Sequence, residues 1–264
     1  MGQTYEDIRY EIDGPVAVIT INRPHRYNAF RGRTVEELIK AFRLAWADKG
    51  VQAVILTGEG EKAFCTGGDV KQRAETGDYG PTESGMFEIG NLHKLIRDIP
   101  KPVIAAVNGY AIGGGHVLHV ICDLSIAADS ARFGQVGPRV GSVDPGFGTA
   151  YLTRVVGEKK AREIWYMCRQ YTAPEALQMG LVNKVVPAAQ LRAEVEQWCR
   201  ELLEKSPTAL KLAKYSFNAD TDHIKGIGGL GMSALALYYA TDEAVEGRNA
   251  FLERRKPDFR KFRK

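Results

Sequence analysis

Residues 16–21 (VAVITI) are apolar or β-branched throughout and stop at Asn22, Arg23 and Pro24, which reads as a strand running into a turn. Val35, Leu38, Ile39, Phe42 and Ala45 recur at helical spacing, so residues 34–46 are expected to form an amphipathic helix. The pattern then predicts buried strands at 51–56, 103–107 and 124–128, and a helix at 87–99 whose end is framed by Pro100 and Pro102. Residues 64–68 read as a glycine-ended loop, 113–115 as a tight turn and 117–121 as the start of a helix. Gly77, Gly80, Pro81 and Gly85 mark 74–85 as a mobile surface loop. Beyond residue 130 the chain is helix-rich, with helices expected at 158–168, 174–179, 190–204, 208–218, 230–240 and 242–254.

Strands alternating with helices in the first half argue for a parallel sheet with crossover helices. A chain of 264 residues can hold one large α/β domain. We divide it into a core at 1–205 and a C-terminal helical region at 206–264 that packs on another subunit.

Two glycine segments change the picture from fold to chemistry. Residues 63–69 (AFCTGGD) and 108–116 (NGYAIGGGH) each follow a strand, and the second opens a helix. Glycine lets a ligand approach the backbone, and a helix N-terminus offers unpaired N–H groups. Two such groups converging on one oxygen would form an oxyanion hole; simple turns and close packing explain either segment taken alone.

Charge and composition narrow the alternatives. A net charge of +4 without a clustered basic stripe does not point to nucleic acid. The basic tail from Arg254 to Lys264 reads as a solvated end or a phosphate contact. Cys65, Cys122, Cys168 and Cys199 have neither zinc nor disulfide spacing, which suits a reducing, cytoplasmic setting. The first residues lack a signal-peptide core, Glu6 stands where myristoylation at Gly2 would want Ser or Thr, and no apolar run is long enough to span a membrane. His116 and His119 could share a helix face, but with no third ligand evident they read as core or interface histidines.

The segments at 22–30 (NRPHRYNAF), 63–69, 108–115 and 133–135 (FGQ) together resemble the crotonase superfamily in order and spacing, over nearly the whole chain. The resemblance implies a spiral of ββα units, a C-terminal helical region, and trimers or pairs of trimers. It further implies an acyl-CoA thioester whose carbonyl is held by the N–H groups of Gly68 and Gly114 as it becomes an enolate. No tightly bound cofactor is implied; CoA arrives with the substrate, with Arg26 and Lys256 as candidate partners for its phosphates.

Where enoyl-CoA hydratases carry their two glutamates, this sequence has Val117 and Gly137, neither capable of acid–base chemistry. A different polar set lies at 133–148, with Ser142 two residues before Asp144. That arrangement resembles two subgroups, the 2-ketocyclohexanecarboxyl-CoA hydrolases and the 1,4-dihydroxy-2-naphthoyl-CoA synthases. Both also match at 162–171, 205–211, 238–239 and 255–259. SVDPGFGTA and residues 226–239 resemble the hydrolases, whereas Lys71, Arg73 and Tyr79 resemble the mobile substrate-holding loop of the synthases.

The resemblance assigns proton handling to Asp144 with Ser142 and Tyr239, the last reaching the site of an adjacent subunit. Gln135, Gly137 and Trp165 match the group that holds bicarbonate in one type of synthase. Ring-opening hydrolysis of a cyclic β-ketoacyl-CoA is the leading expectation and Claisen-type ring closure of o-succinylbenzoyl-CoA the second. A non-catalytic crotonase-fold binding protein is the third, with no basic stripe and interleaved aromatics to support RNA binding.

Overall fold

The computed structural model describes residues 4–262. The expectation about Gly2 and the last two residues of the basic tail, Arg263 and Lys264, lie outside the described residues.

The chain opens with an antiparallel pair, β1 (Ile8–Asp13) and β2 (Val16–Ile21), followed by α1 (Gly32–Ala47). Three strand pairs then wind into a spiral. In the first, β3 (Ala53–Gly58) leads to β4 (Ala63–Cys65) and then to helices α2 (Val70–Thr76) and α3 (Ile89–Asp98). In the second, β5 (Val103–Val107) leads to β6 (Tyr110–Ile112) and α4 (Gly114–Ile121). In the third, β7 (Leu124–Ala128) leads to β8 (Arg132–Gly134), a π-turn at Phe147–Tyr151, α5 (Leu152–Val156) and α6 (Glu158–Met167). The long strand of each pair joins a six-stranded sheet, β1-β2-β3-β5-β7-β10, parallel except for β1. The short strand joins a second sheet, β4-β6-β8-β9. Here β9 is Gln170–Thr172, and β10 is Lys184–Val186 after α7 (Ala173–Gln178).

Period-two alternation explains the two faces of the large sheet. Ala17, Ile19 and Ile21 point into the main core with Leu38 and Phe42 of α1, while Val16 and Val18 face α8 (Leu191–Leu203) through Leu191 and Val195. Phe42 is fully buried, and truncating it to alanine would cost about 3–5 kcal/mol.

The spiral and the helical C-terminal part agree with the sequence reading. Two helices are among the elements that differ from it. Residues 70–76 are helical rather than part of a loop, because the Asp69 carboxylate caps the N–H groups of Lys71 and Gln72 at 3.1 and 3.3 Å. After α9 (Pro207–Ala219), helix α10 runs Asp222–Tyr239, starting eight residues before the expected 230, and α11 is Asp242–Leu252. Among the described residues no helix is long and apolar enough to cross a membrane.

Candidate active site

One end of the site is made of backbone. Phe30 N–H donates to Gly67 O at 2.8 Å and Asp69 N–H to Phe30 O at 2.8 Å, a parallel bridge that leaves the Gly68 N–H pointing away from it. Gly113, in the left-handed region at φ 59°, turns the chain into α4, so that the Gly114 N–H is the first of the unpaired helical donors. Among the described residues neither the Gly68 nor the Gly114 N–H donates to another backbone group. The two segments touch: a Cβ on Gly67, itself at φ 85°, would stand 2.9 Å from Gly114 N. A Cβ on Gly115 would stand 1.9 Å from Cys65 O, so only glycine lets α4 start this close to β4.

The segment at 22–30 holds this corner in place. Asn28, at φ 54°, donates from Nδ2 to Ala63 O at 2.7 Å and accepts the Arg23 N–H at 2.9 Å. The buried Arg23 guanidinium pairs with Asp69 at 3.0 Å and lies 3.6 Å from Asp7. Burial alone would raise the Asp7 carboxyl, but hydrogen bonds from Arg31 and Thr34 and the charge of Arg23 outweigh it and hold it below the usual carboxylate range. Sequence reasoning gave Arg23, Asn28 and Asp69 no role; three polar residues flanking two glycine turns were the available signal.

The opposite end is made of side chains. The Ser142 and Tyr239 hydroxyls are 2.8 Å apart, and Tyr239 is 2.8 Å from the Tyr79 hydroxyl. The three form one line of hydroxyls, drawn from the 137–148 loop, α10 and the loop after α2. The Tyr79 ring packs on Gly68, where a Cβ would come within 2.1 Å of it, and stacks against Phe87 with centroids 4.5 Å apart. Burial foremost, then Tyr239, pushes the Tyr79 phenol well above its ordinary value despite Arg73, so it remains a neutral hydroxyl. Asp144 is half-buried, and its Oδ1 accepts the Gly146 N–H at 3.0 Å.

Within the chain itself Tyr239 thus meets Ser142 and Tyr79, where the sequence reading set it at the site of an adjacent subunit. Glycines make this close approach possible. A Cβ on Gly231 of α10 would stand 3.2 Å from Gly146 N, and one on Gly247 of α11 would stand 2.3 Å from Gly141 N.

The remaining expected residues divide. Arg73 is buried and donates to Val140 O at 3.2 Å and Gly141 O at 3.4 Å, with its guanidinium 4.4 Å from the centre of the Tyr239 ring. Lys71 is exposed. Trp165 Nε1 donates to Gly148 O at 2.5 Å, and Gln135 Nε2 donates to Gly113 O at 3.2 Å. A Cβ on Gly137 would meet Ser142 O at 2.6 Å. In this structure the Gln135 and Trp165 donors thus lie on main-chain oxygens, and the Gly137 N–H donates to no other backbone group among the described residues. Among the described residues no hydrogen bond or ion pair joins Arg26 to Lys256; the latter sits on a tail held to α11 by Arg255 and Glu246 at 2.6 Å. Val117 is buried in the core.

His116 and His119 are buried with ring centres 5.0 Å apart, and no group of three or more metal-binding side chains occurs among the described residues. Burial pushes His116 down to about 3 and His119 well below its ordinary value, so both are neutral. Cys65 is buried and its thiol is pushed up to about 12, chiefly by that burial, which leaves it unreactive.

Two main-chain donors without backbone partners, reached through the Tyr79 ring by a line of hydroxyls, are an arrangement that can stabilise an oxyanion. The sequence model of the enoyl-CoA hydratase/isomerase family matches residues 11–262. The chain belongs to the enoyl-CoA hydratase/isomerase family, whose members include enzymes that act on CoA thioesters. Its fold is similar to an enoyl-CoA hydratase/isomerase from Pseudoalteromonas atlantica T6c, with a TM-score of 0.88 and 28% identity over 96% of this chain and 100% of that one. An enoyl-CoA hydratase from Mycobacterium avium subsp. paratuberculosis K-10 is similar at TM-score 0.84 and 28% identity, covering 97% and 99%. One from Bacillus anthracis reaches 33% identity at TM-score 0.74, covering 96% and 98%.

Proposed function

We propose that this protein hydrolyses a cyclic β-ketoacyl-CoA, with 2-ketocyclohexanecarboxyl-CoA as the test substrate. The observation that carries the reading is the Ser142–Tyr239–Tyr79 line of hydroxyls, with Asp144 two residues from Ser142, in a chain without the hydratase glutamates. Asp144 takes a proton from water as its oxygen adds to the ring ketone. The bond between that carbon and the α-carbon breaks, and its electron pair passes into the thioester as an enolate. The Gly68 and Gly114 N–H groups hold the enolate oxygen, each such donor contributing about 3 kcal/mol. A proton returned through the Ser142–Tyr239 pair to the α-carbon completes an acyclic acid that keeps its thioester.

The engagement of Arg73 supports ring opening over ring closure. A synthase needs cations free to grip the carboxylate of o-succinylbenzoyl-CoA. Here Arg73 is committed to main-chain carbonyls and Tyr239, and Lys71 lies in solvent. Naphthoyl-CoA synthesis stays as the second reading because Tyr79 reaches the oxyanion corner. A non-catalytic binding role leaves the Asp144 cluster without a purpose.

The reading extends to a trimer or a pair of trimers, supported by exposed Leu212 and Phe217 on α9 and Leu230 and Leu237 on α10. In such an assembly Arg26 and Lys256 would meet the CoA phosphates; light scattering on the purified protein reads the state. The function is tested by mass spectrometry of products from each thioester. Gain of one water from 2-ketocyclohexanecarboxyl-CoA supports the hydrolase. Loss of one water from o-succinylbenzoyl-CoA, with the first thioester untouched, removes it.

A further inference from the structure

His93 lies on α3, buried, with its Nε2 meeting no hydrogen-bond partner among the described residues. An orphaned buried ring nitrogen costs free energy, so its position asks for a partner. The ring stands edge-on to Phe147, with centroids 5.8 Å apart, and Phe147 is three residues past Asp144. The helices and turns that surround it leave one charge in reach. Arg97, one turn further along α3, is turned away and committed to the Tyr151 hydroxyl at 2.6 Å and to Thr221 at 2.9 Å. Asp144 is the charged group whose field reaches the imidazole, and burial outweighs its pull, so the ring is lowered and neutral. A neutral imidazole carries one N–H.

Asp144 offers a matching acceptor. Its Oδ1 accepts from Gly146, while Oδ2 has no hydrogen-bond donor among the described residues. Both groups are set against the same turn: the His93 ring stands edge-on to Phe147, and a Cβ on the next residue, Gly148, would stand 3.0 Å from Oδ2.

We propose that His93 is the positioning residue for Asp144: its Nε2–H closes onto the free carboxylate oxygen and fixes the direction of the other oxygen. The inference rests on the reading of Asp144 as the carboxylate that handles the proton. It assigns α3, which holds none of the expected site residues, a part in the reaction.

The test uses the full-length protein and 2-ketocyclohexanecarboxyl-CoA. In His93→Leu, kcat should fall about 30-fold, the size expected for a lost hydrogen bond to a charged group, while KM stays within about threefold. His93→Gln, which restores a donor, should recover to within about fivefold of wild type. Histidine labelled with nitrogen-15 should show a protonated Nε2 whose proton resonance moves in Asp144→Asn. That measurement needs neither substrate nor a change at His93, so it stands if the leucine variant does not fold or this ring is not turned over. A folded His93→Leu enzyme with kcat within about twofold of wild type, or an Nε2 indifferent to Asp144→Asn, overturns the proposal. If Asp144→Asn abolishes turnover and His93→Leu does not lower it, only His93 is misassigned. If Asp144→Asn turns over normally, the reading of Asp144 fails and this inference with it.

Discussion

The two ends of the site are built by different means. At the oxyanion end the parts are main-chain N–H groups fixed by glycines whose missing Cβ atoms would collide with backbone, at 2.9 Å for Gly67 and 1.9 Å for Gly115. At the opposite end the parts are side chains on three separate segments, joined by hydroxyl contacts of 2.8 Å and glycine-mediated packing of α10 and α11. The first end is made of main chain braced by the 22–30 segment and offers no side chain to exchange. The second is set by tertiary contact and can be altered one group at a time. If the proposed ring opening holds, the chemistry that sets it apart from hydration is expected at the second end.

Substitutions at the two ends should break this comparison in order of size. Asp144→Asn should lower kcat by at least about 10³-fold with thioester binding changed only a few-fold, read from steady-state rates and from equilibrium binding of a CoA ester. An unchanged kcat would take Asp144 out of the reaction. Gly114→Pro removes a single N–H and should cost about 10²–10³-fold in kcat, provided circular dichroism shows the fold intact. Normal rates in a folded variant would mean that the donor pair is misassigned. Tyr239→Phe interrupts the line of hydroxyls and should cost about tenfold in kcat, equivalent to about 1.4 kcal/mol.

Smaller effects sharpen the same contrast. Lys71→Ala should change either reaction by less than about twofold, whereas Arg73→Ala should destabilise the protein by about 1–3 kcal/mol in urea titration, because two carbonyls lose their donor. Strong loss of ring closure in Lys71→Ala would favour the synthase. Cys65→Ala should leave kcat untouched.

The core beneath the oxyanion end adds a dependence on pH. His116 and His119 are depressed by burial, so both are neutral in either state above the unfolded value of about 6.5. Below it only the unfolded chain takes up their protons. Stability is thus complete above about pH 6.5 and falls by about 1.4 kcal/mol per histidine over the next unit down. Urea midpoints at pH 7.5 and 5.5, compared with those of His116→Gln, measure the share of one ring.

The same contrast explains what was legible in the sequence. Gly68, Gly114 and the strands leading to them follow from local pattern, since a turn and a helix start are encoded by adjacent residues. Helix α10 was foreshortened because Gly226, Gly228 and Gly229 each disfavour a helix by about 1 kcal/mol, a local penalty that packing on Pro145 and Gly146 overrides. The short α2 was hidden because its cap, Asp69, sits inside a segment read for its glycines. His93 looks like any residue on the buried face of α3, and no spacing rule ties it to Asp144, 51 residues on. Tyr239 was legible as a site residue, but which chain's site it serves depends on how α10 folds back.

Gly137 also limits what protein engineers can ask of this scaffold. Its neighbours on the crowded side are a main-chain oxygen of Ser142 and the Trp165 ring, at 2.6 and 3.1 Å from where a side chain would begin. Installing a hydratase glutamate there is a problem of rerouting a loop rather than of choosing a residue. Any such rerouting moves Ser142, and with it the partner of Tyr239. A library that varies side chains on the present backbone therefore leaves position 137 without a carboxylate, and placing one there has to begin with insertions or deletions in residues 137–142.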